Sequence, residues 1–217
     1  MLFTTRTIAA EAKQRGIRRL LHSTHLYKNF PIILSDGALH TARELKKLYG
    51  SSASRFLHDP RRYEQFAVGL DYINASLSFP NCELLYRRSR TDWKCEWIHL
   101  ALRLDLLNRA DTLFCPVSAA ASFGKLVQSG RDGFRAMFAE EVAGHTRIGI
   151  PRDVPTHPQA EVLVHGSLDL SAIEAIIVPD APLALEIERL CEQHHHAIAV
   201  EVLPQFFVWP KWLVKKG

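Results

Sequence analysis

One carboxylate, Glu161, stands alone among apolar neighbours in the stretch Gln159-Ala160-Glu161-Val162-Leu163-Val164-His165. The stretch alternates as a half-buried strand does, which sets Glu161 on the face opposite Ala160, Val162 and Val164. Position and alternation therefore favour a solvent-facing side chain. The sharper reading is that Glu161 is held in a costly apolar setting for chemistry, paired or hydrogen-bonded so that its charge is tolerated. Asp169 is a conceivable acid/base partner for it in glycoside cleavage, although no other residue supports that pairing. A second group, His22-Ser23-Thr24-His25, lies where a strand opens into a helix; a histidine there can hold a ligand hydroxyl or phosphate. Its bland counterpart is a capping Ser or Thr beside incidental histidines. A third group, Arg55, Arg61 and Arg62, is suited to bidentate contacts with a pyrophosphate, against the commoner reading of a solvated charged loop. Tyr63 and Phe66 interleave with these arginines and favour stacking on a base or nicotinamide ring. The run His194-His195-His196 points in several directions from one helix end and makes a poor metal site. There is no GxGxxG after a strand, no Walker sequence, and no glycine that would make Ser167 a nucleophile elbow.

The elements that must position these groups follow from periodicity and turn residues. Helices are expected at Thr4 to Arg15, Asn29 to Leu34, Ala42 to Tyr49, Ser122 to Gln128, Phe134 to Glu141 and Pro182 to His194, with a short helical start at Leu170 to Ala172. Strands are expected at Arg18 to Ser23, Tyr72 to Phe79, Cys95 to Leu102, Glu161 to His165, Ala175 to Val178 and Ala197 to Val202. Residues Ala53 to Leu70, around Pro60, read as a long loop with at most one helical turn. Short strands mixed with modest helices, without repeats or low-complexity linkers, argue for a single α+β domain.

The whole chain bounds what these groups can do. Its 217 residues suffice for a sizeable core, and 47% hydrophobic with 23% charged residues is ordinary for a soluble globular protein. A net charge of +4 permits a nucleic-acid partner without demanding one. Cys82, Cys95, Cys115 and Cys191 are too scattered for a zinc knuckle or a CxxC motif and read as buried thiols of a reducing compartment. Met1 to Gly16 mixes Thr, Arg, Glu and Lys, unlike a secretory leader, and the best apolar run, Trp97 to Leu107, is interrupted by His99, Arg103 and Asp105. A cytoplasmic protein is expected.

Three pieces, in order, resemble the DarT-type DNA ADP-ribosyltransferases of the ADP-ribosyltransferase clade. LLHSTHLYKNFPIILSDGAL is similar to the clade's opening strand and helix, DYINASLSFPNCELLYRR to its second core strand, and HPQAEVLVHGSLDLSAIEAIIV to the strand that carries the family's catalytic glutamate. The similarity spans about residues 18–207 of a single domain over 1–217. It implies an α+β ADP-ribosyltransferase-like fold, with a central mixed or antiparallel β core flanked by helices. It implies NAD as co-substrate, with ADP-ribose transferred onto a nucleobase of single-stranded DNA and nicotinamide released. By the same resemblance Glu161 is the catalytic glutamate, and His25, with Thr24, contacts the cofactor. A loop arginine, Arg62 first and Arg55 second, joins the catalysis; Arg61 and Ser118 are further cofactor contacts. No metal is expected. The resemblance further implies a toxin with an antitoxin that reverses the modification. An RNA base or RNA 2′-phosphate acceptor is the first alternative, and a non-catalytic nucleic-acid-binding module the second. Thymine, guanine, adenine and RNA acceptors differ in pocket shape, which these motifs do not encode.

Overall fold

Short-range sequence signals set most element boundaries in the computed structural model, which describes residues 7–55, 67–89, 96–120 and 123–213. Helix α1 (Ile8–Arg15) starts at Thr7, whose hydroxyl accepts the Ala10 N–H at 3.2 Å, and stops at Gly16 in the left-handed region at φ 96°. Helix α2 (Phe30–Asp36) has a proline in its first turn. Helix α3 (Ala42–Tyr49) begins on Thr41, which accepts the Glu44 N–H at 3.2 Å. Helix α4 (Cys82–Arg88) begins on Asn81, and the long helix α6 (Ala181–Gln193) on Asp180, whose side chains accept the Leu84 and Leu183 N–H groups at 3.0 Å. Along α6 the buried residues are Ala184, Ile187 and Cys191, one stripe at helical spacing.

Two expected helices differ. Ser122 to Gln128 is not helical over its described residues: Phe123 and Gly124 take left-handed φ values of 51° and 76°, and Gln128–Ser129 forms strand β6. Instead of Phe134 to Glu141, the helix is α5 (Gly130–Ala136), and Glu141 lies in a small hairpin of β7 (Glu141–Val142) with β8 (His145–Thr146). Helix α5 sits so close to β6 that a Cβ on Gly133 would lie 2.8 Å from the Gln128 carbonyl oxygen. Glycine here therefore reads as a packing requirement and not as a breaker. Of the long loop expected over Ala53 to Leu70, residues 56–66 lie outside the described residues; 3₁₀ turns at Gly50–Arg55 and Ala67–Asp71 flank them.

The remaining strands are β1 (Leu20–His25), β2 (Ala38–Leu39), β3 (Tyr72–Leu77), β4 (Trp97–Leu102), β5 (Leu113–Cys115), β9 (Glu161–His165), β10 (Leu168–Asp169), β11 (Ile173–Val178) and β12 (Ala199–Val202). Among the described residues seven of these strands and β6 build one eight-stranded sheet in the order β12-β11-β4-β1-β3-β9-β5-β6. Neighbours are antiparallel except β11 and β12, whose parallel pairing is made possible by the α6 crossover. The largest core group runs from Ala9 to Cys191 and includes Leu20, Leu100, Phe114, Val162, Val164 and Ile187. A second group, with Leu21, Leu85, Trp97, Ile177 and Phe207, covers the opposite face of the sheet, so β4 is buried at all six positions. No helix among the described residues is long and apolar enough to cross a membrane.

Candidate active site

The site begins with a break in the sheet. Strands β1 and β4 pair along their full length, whereas β1 and β3 pair only at Leu20 with Leu77 and Leu21 with Ser76. Beyond Leu21 the two central strands diverge, leaving backbone groups that need other partners. His22 meets part of that need: its Nδ1–H reaches across the split and donates to the Asn74 carbonyl at 2.8 Å. Burial lowers the His22 pKa, outweighing that hydrogen bond, so the ring bridges the strands in its neutral form. The split opens into a cavity of about 170 Å³, more than ten times the space that one water needs. Thr24, Asn29, Tyr72, Asn74, Trp97 and Glu161 are in its wall, as are His40 from the turn before α3 and Arg88 from the end of α4.

Glu161 opens β9, opposite Cys115 on β5. Its Oε2 accepts the Asn74 side-chain amide and the Ala119 backbone N–H, each at 3.2 Å. The side chain is not solvent-facing, as alternation had suggested, but only 5% exposed. The face it shares with Leu163 is covered by Cys115, Val117, Ala119 and Val142, which come from distant parts of the chain. A carboxyl group tolerates such burial when polar hydrogens converge on it, as they do here. Asn74 was missed by sequence reasoning. Its only signal was a polar residue between the buried Ile73 and Ala75, and any strand with one wet face shows that.

The other expected residues fall in several places. Thr24 is buried and lines the cavity. His25 is buried but is not among the lining residues; its ring centroid lies 5.5 Å from that of Trp97, which is. His25 Nδ1 accepts the Tyr27 N–H at 3.2 Å, and its Nε2 lies 3.8 Å from Glu96. Burial, then the nearby Lys28, lower the His25 pKa against the pull of Glu96. The ring is therefore neutral near pH 7, with its proton on Nε2. Ser118 directly precedes Ala119 but does not line the cavity. Arg55, exposed at the end of its 3₁₀ turn, does not line it either. Arg61 and Arg62, with Tyr63 and Phe66, lie outside the described residues. Arg88 was not singled out from sequence, because a basic last helical turn is commonplace. Asp169 is no partner of Glu161: it sits in β10 and caps the following turn, accepting the Ser171 N–H at 2.9 Å. His196, from the histidine run, contacts the Leu34 carbonyl through Nε2 at 2.8 Å. Among the described residues no group of three or more His, Cys, Asp or Glu could hold a metal. Cys82, Cys115 and Cys191 are buried and unbridged, and burial pushes the Cys82 thiol up to about 12.

A mainly antiparallel sheet that parts between its central strands, with one buried glutamate on the wall of the opening, defines an ADP-ribosyltransferase-like enzyme. The chain belongs to the DarT family, the ssDNA thymidine ADP-ribosyltransferases, whose model matches residues 21–208. Among solved structures, Thermus sp. 2.9 DarT in complex with NAD+ is similar at a TM-score of 0.60 and 15% identity, over 88% of this chain and 98% of that one. The same protein in complex with ADP-ribosylated ssDNA gives 0.62 at 15% identity, over 89% and 97%. Thermosipho africanus DarTG in complex with ADP-ribose gives 0.61 at 20% identity, covering 89% of this chain but 52% of that longer one. No curated protein sequence matches the chain.

Proposed function

We propose that this chain transfers ADP-ribose from NAD to a thymidine base of single-stranded DNA and that Glu161 carries the reaction. The observation that carries this reading is the buried Glu161 carboxylate, oriented by Asn74 and Ala119 on the wall of the split between β1 and β3. It agrees with the family to which the chain belongs and with the ligands named for its structural neighbours, NAD+ and ADP-ribosylated ssDNA.

In the reaction the bond between ribose C1′ and the nicotinamide nitrogen breaks, and its electron pair leaves with nicotinamide. Positive charge grows on the sugar carbon, as in glycoside cleavage. The Glu161 carboxylate stabilises that charge near the ribose 2′-hydroxyl. When a thymine nitrogen attacks C1′, Glu161 takes the proton that the nitrogen loses. Tyr72 and Trp97 give the cavity two aromatic walls against which a planar ring can pack, and Trp97 is oriented by its indole N–H donating to Ser89 Oγ at 3.0 Å. Thr24 lines the cavity, and His25 beside it is retained as a cofactor contact. Arg88 in the cavity wall is suited to the pyrophosphate. Arg62, with Arg55 second, is retained as the loop arginine that joins the catalysis, and Arg61 and Ser118 as further cofactor contacts. The chain acts as one domain in the cytoplasm, as the toxin of a pair whose antitoxin reverses the modification. The similarity to a protein named DarTG supports that pairing.

The test is incubation with NAD and oligonucleotides that each present one base, as DNA and as RNA, followed by intact mass spectrometry. An added ADP-ribose on thymidine-containing DNA alone is the expected outcome. Modification of RNA alone, or of no substrate, would overturn the assignment.

A further inference from the structure

Helix α4 has two faces, and only one belongs to the cavity. Leu84, Leu85 and Arg88 line the opening beside Glu161, whereas Tyr86 points outward and is 61% exposed. The end of the chain folds back to the same place. Trp209 is 46% exposed, and its ring centroid lies 6.1 Å from that of Tyr86 at an interplanar angle of 40°. Phe79, packed against Phe206 at 5.5 Å and Trp212 at 5.6 Å, continues the aromatic surface on that side of the sheet. Large aromatic rings exposed next to one another are unfavourable in water and mark a surface with a partner.

The chemistry around the rings says which partner. Arg87 follows Tyr86 in the last turn of α4, and Lys211 is exposed two residues after Trp209. Glu83 is a carboxylate of the same helix. It ion-pairs with Arg87 at 3.0 Å and accepts the Gln159 side-chain amide at 3.0 Å, which ties α4 to the segment leading into Glu161. Aromatic faces interleaved with flexible cations form the surface on which single-stranded nucleic acid stacks its bases and neutralises its phosphates. Aromatic residues and arginine also occur at protein interfaces; what favours a strand here is that the same helix lines the cavity beside Glu161.

We propose that Tyr86 and Trp209 form a stacking platform for nucleotides flanking the target base, with Arg87 and Lys211 on the intervening phosphates. The proposal rests on the single-stranded DNA reading above and adds a subsite to it. A strand whose target base enters the cavity crosses α4, because one helix supplies both the cavity wall and the platform.

The experiment compares transfer from NAD onto a thymidine trinucleotide and onto a thymidine-containing strand of about twelve nucleotides. For the native chain the longer strand should have a KM lower by roughly tenfold, one good stacking interaction's worth. In the double variant Tyr86→Ala, Trp209→Ala that advantage should vanish, with the KM for NAD and transfer to the trinucleotide unchanged. Tyr86→Phe with Trp209→Phe, which keeps both rings, should restore it. Thermal unfolding followed by circular dichroism reports whether each variant is folded. A folded Ala variant with the native length preference would overturn the platform. Absence of transfer to both oligonucleotides by the native chain would overturn the DNA reading itself, a result distinct from a lost length preference.

Discussion

At the scale of single residues the site depends on how Glu161 is held. The carboxylate is 5% exposed, and the Asn74 side-chain amide and the Ala119 N–H both donate to its Oε2. The backbone donor is fixed by the fold, whereas the Asn74 amide can be removed by substitution. Asn74→Ala should leave a folded enzyme whose kcat falls roughly 10- to 100-fold, the range set by losing one hydrogen bond to a charged group. Its KM for NAD should change little, because Asn74 positions Glu161 and is not asked to bind the cofactor. Steady-state kinetics with varied NAD separates the two parameters, and a raised KM with native kcat would contradict the positioning role. Local pattern placed Glu161 on a strand but not in its surroundings. Alternation reports which side of a strand a residue occupies, and only the tertiary fold decides that Cys115, Val117 and Ala119 cover that side.

At the scale of elements the decisive feature is the divergence of β1 and β3 after Leu21. A ladder of two residue pairs between neighbouring central strands leaves an opening, and the His22 bridge to the Asn74 carbonyl is one contact that spans it. His22→Ala removes the donor and leaves a carbonyl in the sheet unsatisfied, so it should destabilise the protein by about 1–3 kcal/mol. Urea unfolding measures this, and an unchanged midpoint would mean that the bridge does not hold the split. Sequence periodicity was informative for β9, β11, α3 and α6, whose apolar spacing and capping residues are local. It was uninformative about the split, since nothing in YINASLSF or LLHSTH states that the two strands part. It misled at Ser122 to Gln128, where left-handed φ values at Phe123 and Gly124 turn the chain, and at α5, where Gly130 and Gly133 argue locally against a helix that packing against β6 requires. The loop arginines illustrate a further limit. The resemblance and its place before the strand entry marked Arg62, which with Arg61 lies outside the described residues; Arg88, in the cavity wall, went unmarked because a basic last helical turn is commonplace.

At the scale of the whole molecule the sheet interior makes stability depend on acid. His99 lies in β4, fully buried, with Ser23 Oγ 3.0 Å from its Nδ1 and Phe207 stacked on its ring at 4.6 Å. Burial, with a smaller contribution from His22, drives its pKa from 6.5 down to about 3, against a backbone hydrogen bond near Phe206. The unfolded chain takes up a proton at His99 below pH 6.5 and the folded chain does not, so stability is complete above that pH and falls as acid is added. The loss from His99 should be on the order of 1 kcal/mol per pH unit. His157, lowered to about 4 by burial and then by His145, acts in the same direction. Urea unfolding at pH 7 and pH 5 should show a shallower loss for His99→Gln than for the native chain, and equal losses would contradict this. The central claim, that this fold places one glutamate to move ADP-ribose from NAD to thymidine, has a more direct test. The measurement is the rate at which a thymidine-containing oligonucleotide gains the mass of one ADP-ribose, for the native chain and for Glu161→Gln, with unfolding temperatures recorded alongside. The account predicts that Glu161→Gln melts with the native chain and transfers at least about 10²- to 10³-fold more slowly; a folded Glu161→Gln that modifies the strand at near the native rate would contradict it.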